Sequence, residues 1–108
     1  VDRNRLQATG PVADRFNTNP IEEKWRGFGW NVVCIDGHDI GQILDALNQA
    51  EATRGVPTVI IAETVKGKGI SFAENVVGFH NGALTKEQYG QACLELDTRQ
   101  ANLTQQEV

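Results

Sequence analysis

Two nearly continuous apolar runs alternate with amphipathic stretches along this chain, and their order predicts the fold. The runs at 30–35 and 58–63 are rich in β-branched residues, which is typical of buried strands under helices. A helix is predicted over residues 40–53, capped by Asp39, because apolar residues recur there at intervals of three and four. Those positions are Ile40, Ile43, Leu44 and Leu47. Strand, helix and strand joined by short turns favour an α/β fold, a parallel sheet flanked by helices.

A short helix is predicted before the first of these strands. Pro20 suits the first helical position, and Asn19 can cap the helix in front of it. Ile21, Trp25 and Phe28 then fall at i, i+4 and i+7, which gives the helix one apolar face.

The last third of the chain predicts a long loop followed by a helix. Residues 64–84 contain four glycines, and so long a connection in a compact domain is usually functional or flexible. Thr85 and Gln88 have the capping-box spacing that begins a helix. Its apolar stripe comprises Tyr89, Ala92, Cys93 and Leu96. Residues 97–108 are polar and are expected to be a frayed tail.

Length and charge exclude several classes of protein. The 108 residues suffice for one domain, and the net charge of −4, without a basic stripe, argues against nucleic-acid binding. No apolar run approaches the length of a membrane span, so the expected location is the cytoplasm. Methionine is absent, and Val1 leads directly into what resembles the end of a strand. We therefore expect a single partial domain over residues 1–108.

The cysteines and histidines give no clear catalytic set. Cys34 and Cys93 are expected to be buried free thiols rather than a disulfide, and their spacing does not suit zinc. His38 lies in a tight turn, where a structural role is favoured. His80 lies in the long loop and is an equal candidate for structure or for proton transfer.

Two segments could bind a metal or a phosphate group. Asn4 follows a strand, and its side-chain oxygen and the carbonyl oxygen two residues later could bind a hard divalent cation. Such residues are more often simple turn formers. Residues 64–71 combine glycines with Lys66 and Lys68, which would suit a phosphate group, although a solvated loop has the same composition. The spacing is not that of a Walker loop.

Taken together, five segments in order resemble the transketolase family. They are Asp2-x-Asn4-x-Leu6-Gln7, Phe28-Gly29-Trp30, Ile35-Asp36-Gly37-His38-Asp39, Pro57-Thr58 through Lys66-Gly67-Lys68-Gly69, and Phe79-His80-Asn81-Gly82. The resemblance covers about residues 1–96. It is strongest to the amino-terminal, thiamine-diphosphate-binding subunit of split transketolases, and specifically to the later part of that subunit.

The resemblance implies a role for each candidate residue. Asn4 would contribute its side-chain oxygen, and Leu6 its carbonyl oxygen, to a Mg²⁺ or Ca²⁺ ion on the diphosphate. Lys66 and Gly67 would contact the diphosphate, and His80 would be the active-site histidine, close to the substrate and to the phosphates of the cofactor. The implied reaction transfers a two-carbon ketol unit between sugar phosphates, as in the pentose phosphate pathway, and thiamine diphosphate supplies the bond-breaking chemistry. The Asn4 and Lys66 segments should then converge beside the pyrophosphate.

The same resemblance implies that other protein segments complete the site. The Gly-Asp-Gly part of the family motif would precede Val1, and a pyrimidine-binding subunit or domain would supply an activating glutamate in a homo- or hetero-oligomer. The isolated chain is therefore expected to be inactive. The alternatives are a fragment of another thiamine-diphosphate enzyme, such as deoxyxylulose-phosphate synthase or a dehydrogenase component, and a non-catalytic module with the same fold.

Overall fold

The structure, a computed structural model, describes residues 1–106. The strands are β1 (Asp2–Arg3), β2 (Leu6–Gln7), β3 (Gly10–Pro11), β4 (Asn31–Asp36) and β5 (Thr58–Glu63). The helices are α1 (Val12–Arg15), α2 (Ile21–Gly27), α3 (Ile40–Ala52), a 3₁₀ helix (Val77–His80) and α4 (Lys86–Gln106). The chain forms two compact units, one of residues 1–5 and 10–64 and the other of residues 6–9 and 65 onward. That residues 1–108 form a single partial domain stays a prediction.

The first unit contains a three-stranded sheet in the order β1-β5-β4. All of its strands are parallel, and β4 pairs with β5 along its whole length, from Asn31 opposite Thr58 to Asp36 opposite Glu63. β1 pairs with the carboxyl end of β5, so that Arg3 lies opposite Glu63. Both α2 and α3 contact β4. The predicted parallel sheet flanked by helices is thereby confirmed.

The strands of the sheet are less buried than the sequence predicts, since both apolar runs were expected to be covered on their two faces. Side chains of the central strand β5 alternate, with Val59 and Ile61 buried and their neighbours half-buried. In β4 no side chain is fully buried, and Cys34 is exposed. The prediction that Cys34 is buried is therefore wrong, because a continuous apolar run shows which faces can be covered and not which faces are.

Helix α3 begins as predicted but presents an unexpected face to the sheet. The Asp39 side chain caps it by accepting a hydrogen bond from the Gln42 backbone N–H, at 3.1 Å. That bond is the main reason why the pKa of Asp39 lies below its ordinary value. The small residue Ala46 is buried, whereas most of the predicted apolar stripe is exposed. The exposed fractions are 68% for Ile40, 56% for Leu44 and 52% for Leu47.

Helix α2 forms where it was predicted, but its cap is different. Pro20 occupies the capping position, and no side chain caps the helix. The Asn19 side-chain oxygen instead accepts a hydrogen bond from Arg3 at 2.6 Å, so the predicted cap is wrong because a stronger, charged donor takes its acceptor. Trp25 packs edge-on against Trp30, with ring centroids 4.9 Å apart.

The second unit contains the 3₁₀ helix and the long helix α4. The predicted capping box is confirmed, since the Thr85 N–H donates to the Gln88 side chain at 2.9 Å and the Gln88 N–H donates to the Thr85 hydroxyl at 3.2 Å. Ala92 is buried, but Tyr89 is 64% exposed. Helix α4 continues to Gln106, so residues 97–106 are helical where a frayed tail was expected. Good helix formers such as Gln100 and Ala101 account for this extension; residues 107 and 108 lie outside the described residues.

No helix within residues 1–106 is both long enough and apolar enough to cross a membrane.

Candidate functional site

Asn4 lies in the bend between β1 and β2, and its surroundings fix that bend firmly. Asn4 is half-buried and the following Arg5 has a φ of 62°, the left-handed region that is uncommon for a non-glycine residue. The carbonyl oxygen of Arg5 accepts a hydrogen bond from the Val12 N–H at 2.9 Å. On the other side, the Thr64 hydroxyl donates a hydrogen bond to the Asp2 carboxylate. The bend therefore has a defined shape that could present an amide oxygen.

Charged side chains surround the same bend. Arg3 pairs with Glu22 at 2.5 Å and with Glu63 at 2.8 Å, and Arg5 pairs with Glu63 at 2.9 Å. The pKa of Glu22 is held below its ordinary value chiefly by a backbone N–H, with a further contribution from Arg3. These residues are not among those that the sequence predicts for the site. The available signal was a pair of arginines flanking Asn4 together with a glutamate at the end of a strand, but their proximity depends on the sheet register.

The lysine-glycine segment forms a compact set of turns in the second unit. Gly67 has a φ of 75°, and a Cβ at this position would lie 2.5 Å from the Ala73 carbonyl oxygen. The Lys66 carbonyl oxygen accepts a hydrogen bond from the Asn75 N–H at 2.9 Å. These turns therefore require glycine at 67 for the packing of the loop itself, and they leave the Lys66 side chain half-buried.

Two glutamates stabilise this loop. Glu74 accepts a hydrogen bond from the Gly69 N–H at 3.0 Å, which is the main cause of its lowered pKa. Glu95 of α4 accepts from the Ser71 hydroxyl at 2.6 Å and from the Ser71 N–H at 2.7 Å, and the hydroxyl contributes most to the lowering of the Glu95 pKa. The loop is thus attached to α4 by a carboxylate that takes both donors of one serine.

His80 is the last residue of the 3₁₀ helix and is exposed. The preceding Phe79 packs against Phe72, with ring centroids 5.6 Å apart, which holds the helix on the loop. β2, which contains Leu6, lies against this 3₁₀ helix in the same unit. The structure thereby brings together two predicted site segments that are far apart in sequence.

The other candidate residues have simpler surroundings. The His38 backbone N–H donates to the Asp36 carboxylate at 2.9 Å, and the side chain is exposed, which agrees with a residue in a turn. Cys93 is half-buried rather than buried, and neither cysteine forms a disulfide among the described residues. Within residues 1–106 no three His, Cys, Asp or Glu side chains cluster as metal ligands do. A metal here would therefore depend on amide and carbonyl oxygens, which suit Mg²⁺ or Ca²⁺.

The predicted site residues are divided between the two units. Asn4 belongs to the first unit, whereas Leu6, Lys66, Gly67 and His80 belong to the second. The proximity of Asn4 to Lys66 stays a prediction, as do the individual binding roles.

Parallel strands followed directly by a polar bend and by a glycine-lysine turn are typical of α/β domains that bind phosphate-containing cofactors. Comparison with known proteins agrees with this class. Residues 1–102 match the family described as transketolase, thiamine diphosphate binding domain. The chain belongs to the transketolase family.

Individual relatives give the same result. The chain is 41% identical over 97 residues to a 6-deoxy-6-sulfo-D-fructose transketolase subunit of Clostridium sp. (strain MSTE9), covering 90% of this chain and 35% of that protein. It is 33% identical over 99 residues to an apulose-4-phosphate transketolase subunit of Phocaeicola vulgatus, covering 92% of this chain and 35% of the relative. The crystal structure of transketolase from Campylobacter jejuni superposes with a TM-score of 0.77 at 33% identity, over 84% of this chain and 14% of that one. The chain thus spans about a third of the length of the two subunits.

Proposed function

We propose that this chain provides part of the thiamine-diphosphate site of a transketolase-type transferase, which moves a two-carbon ketol unit from a ketose phosphate to an aldose phosphate. The adjacency of β2 to the 3₁₀ helix carries this proposal. It places Leu6, assigned to the metal, in the same unit and next to the segment that ends at His80, assigned to the substrate. The family match over residues 1–102 supports the same assignment.

Each residue has a distinct role in the proposed site. Asn4 and Leu6 offer oxygens to Mg²⁺ or Ca²⁺, and Lys66 and the Gly67 backbone face the diphosphate. His80 donates a hydrogen bond or a proton to the substrate, for which its exposed position is suitable. When bound, thiamine diphosphate supplies the carbanion chemistry that breaks and forms the carbon–carbon bond.

A partner protein or domain completes this site. The two subunit relatives are about three times as long as the matched region, and the chain exposes large apolar side chains at Ile40, Leu44 and Leu47. The isolated chain accordingly lacks ketol transferase activity. This is tested by measuring ketol transfer by the purified 108-residue chain, first alone and then together with the partner protein or domain. The chain together with this partner is called the complete enzyme below. Activity of the chain alone would contradict the proposal.

The histidine assignment is tested in the complete enzyme with a matched pair of variants. His80→Asn is expected to lower kcat/KM for ketol transfer by about 10²–10⁴-fold, the usual loss when a positioned acid or base is removed. His38→Asn replaces another exposed histidine and is expected to leave kcat/KM unchanged. Equal effects of the two variants would refute the special role of His80.

The metal assignment is tested by calorimetric titration of the complete enzyme with Mg²⁺ at saturating thiamine diphosphate. Asn4→Ala is expected to raise the apparent Kd for Mg²⁺, whereas Asn48→Ala, on the exposed side of α3, is the control. An unchanged Kd in the Asn4 variant would remove this residue from the metal site. If the unaltered complete enzyme does not bind thiamine diphosphate, the chain is a non-catalytic module that retains the fold.

A further inference from the structure

Glu63, the last residue of β5, connects both sides of the bend that contains Asn4. Its Oε1 lies 2.8 Å from Nη1 of Arg3, and its Oε2 lies 2.9 Å from Nη2 of Arg5. One carboxylate therefore binds the residue before Asn4 and the residue after it, with a separate oxygen for each. The sheet register makes this possible, since Arg3 and Glu63 are opposite each other on β1 and β5.

The two ion pairs of Glu63 form a bridge from Arg3 to Arg5. On the amino-terminal side of Asn4, further contacts of Arg3 stabilise its position. Its guanidinium also binds Glu22 at 2.5 Å and the Asn19 oxygen at 2.6 Å, and the Arg3 side chain is only 20% exposed. The carboxyl-terminal side is different. The Arg5 side chain is 74% exposed, and Glu63 is its ion-pair partner there. Loss of Glu63 should therefore release the Arg5 side of the bend while Arg3 keeps its other partners.

Release of Arg5 would directly affect the backbone beside Asn4. Arg5 has a φ of 62°, a conformation that an L-residue adopts at a cost and that persists only when the surroundings determine it. The ion pair with Glu63 and the hydrogen bond from Val12 are the interactions of Arg5 that favour it. Without the ion pair, the backbone at Asn4 and Arg5 can sample other conformations, and the orientation of the Asn4 side chain changes with them.

We propose that Glu63 is a positioning residue: it holds Arg3 and Arg5 on one carboxylate and so fixes the orientation in which the Asn4 side chain meets the metal ion. The inference rests on the proposed function, because it concerns the same ligand residue. Groups hydrogen-bonded directly to metal ligands typically change metal affinity by about 10–100-fold when they are replaced, and Glu63 should have a smaller effect because it acts on Asn4 through the two arginines.

Two variants separate positioning from simple electrostatics. Glu63→Gln removes the negative charge and the bridge together. Glu63→Asp keeps the charge but shortens the side chain by one methylene, which withdraws the carboxylate from the position where it contacts both arginines. Glu23→Gln, at an exposed position of α2, is the control for the change in charge.

The variants are made in the complete enzyme, and Mg²⁺ is titrated calorimetrically at saturating thiamine diphosphate. We expect the apparent Kd for Mg²⁺ to rise by about 2- to 5-fold in both Glu63 variants, which is the most that an ion pair between partly exposed side chains can contribute, and to stay unchanged in Glu23→Gln. At saturating Mg²⁺, kcat should return to that of the unaltered enzyme, which general misfolding would not allow. Amide hydrogen exchange of residues 4–6 without cofactor should be faster in both Glu63 variants.

Each possible result decides the inference. If Glu63→Asp binds Mg²⁺ as the unaltered enzyme does, or if Glu63→Gln does, the positioning role is refuted. If Asn4→Ala weakens Mg²⁺ binding but neither Glu63 variant does, the inference fails and the proposed function stands. If Asn4→Ala has no effect, the metal assignment fails, and the inference fails with it.

Discussion

Replacement of glycines by alanine in this chain separates two effects on stability that usually occur together. One is the backbone strain of a positive φ, and the other is the clash of the new Cβ with neighbouring atoms. Gly55 and Gly67 both have positive φ values, 80° and 75°, but a Cβ on Gly55 would meet no atom within 4 Å. A Cβ on Gly67 would lie 2.5 Å from the Ala73 carbonyl oxygen and 2.7 Å from its carbon. Gly78 has neither restriction, since its φ is ordinary and a Cβ there would meet open space. The three positions therefore form a graded series.

The expected losses in the free energy of unfolding follow from this geometry. Gly78→Ala should change it by less than about 0.5 kcal/mol, as at an unconstrained surface position. Gly55→Ala should cost about 1 kcal/mol, the penalty of a left-handed conformation for an L-residue. Gly67→Ala adds forced displacement of backbone atoms, which costs about 1–3 kcal/mol by analogy with overpacked cores. Its total loss should be about 2–4 kcal/mol.

The measurement is equilibrium unfolding in urea, followed by two signals. Trp25 and Trp30 are both in the first unit, so tryptophan fluorescence follows that unit, whereas α4 gives the second unit a large share of the circular dichroism signal. Because Gly67 lies in the second unit, the lower free energy of unfolding of Gly67→Ala should appear as a lower urea midpoint in the circular dichroism signal. Equal losses in Gly67→Ala and Gly55→Ala would refute the close approach of residue 67 to Ala73.

Three further predictions concern the core, a helix cap and acid stability. Ile61 is fully buried, so Ile61→Val should cost about 0.5–1.5 kcal/mol and Ile61→Ala about 2–5 kcal/mol in thermal unfolding, whereas Leu47→Ala at an exposed position should cost much less. Thr85→Ala should cost about 1 kcal/mol and speed amide exchange in the first turn of α4; unchanged exchange would contradict the capping box. Because Ser71 lowers the pKa of Glu95 in the folded state, this carboxylate stabilises the fold above the ordinary glutamate pKa of about 4.3, and the stabilisation is lost as the pH falls through the lower folded value. In Glu95→Gln the free energy of unfolding should therefore fall less steeply below about pH 4.3 than in the unaltered chain. The same pH dependence in both chains would exclude this contribution of Glu95.

The sequence predicts the elements of this fold much better than it predicts their burial. The bounds of β5 agree with the apolar run at 58–63, and α3 begins after its Asp39 cap, because both signals are local. Burial depends instead on which other segments cover a face. The stripe from Ile40 to Leu47 has the period of a buried helix face, yet most of it is exposed in this chain. Periodicity shows that a face can be covered, but it does not show which segment covers it.

The site shows the same limit for polar groups. Asn19 has the residue type and the position of a helix cap, but Arg3 competes for its oxygen, and a charged donor prevails over a backbone N–H. Nothing in the local sequence near Asn19 reveals this, because Arg3 reaches it through the fold. From the residues alone, Asn4 is more often a simple turn former and His80 is an equal candidate for a structural role; the order of five segments that resembles one family is what favours the functional role of both.

The bridge made by Glu63 illustrates why stability alone would not identify such residues. Ion pairs between partly exposed side chains contribute about 0–1 kcal/mol to folding, so loss of the bridge should scarcely affect unfolding. Burial of Ile61 contributes more to the fold than this bridge and has no direct part in the proposed site. A carboxylate that holds both neighbours of Asn4, the proposed metal ligand, instead limits the conformations of that residue before a metal binds. Its effect should therefore appear in metal affinity and in local amide exchange, while the melting temperature stays nearly constant.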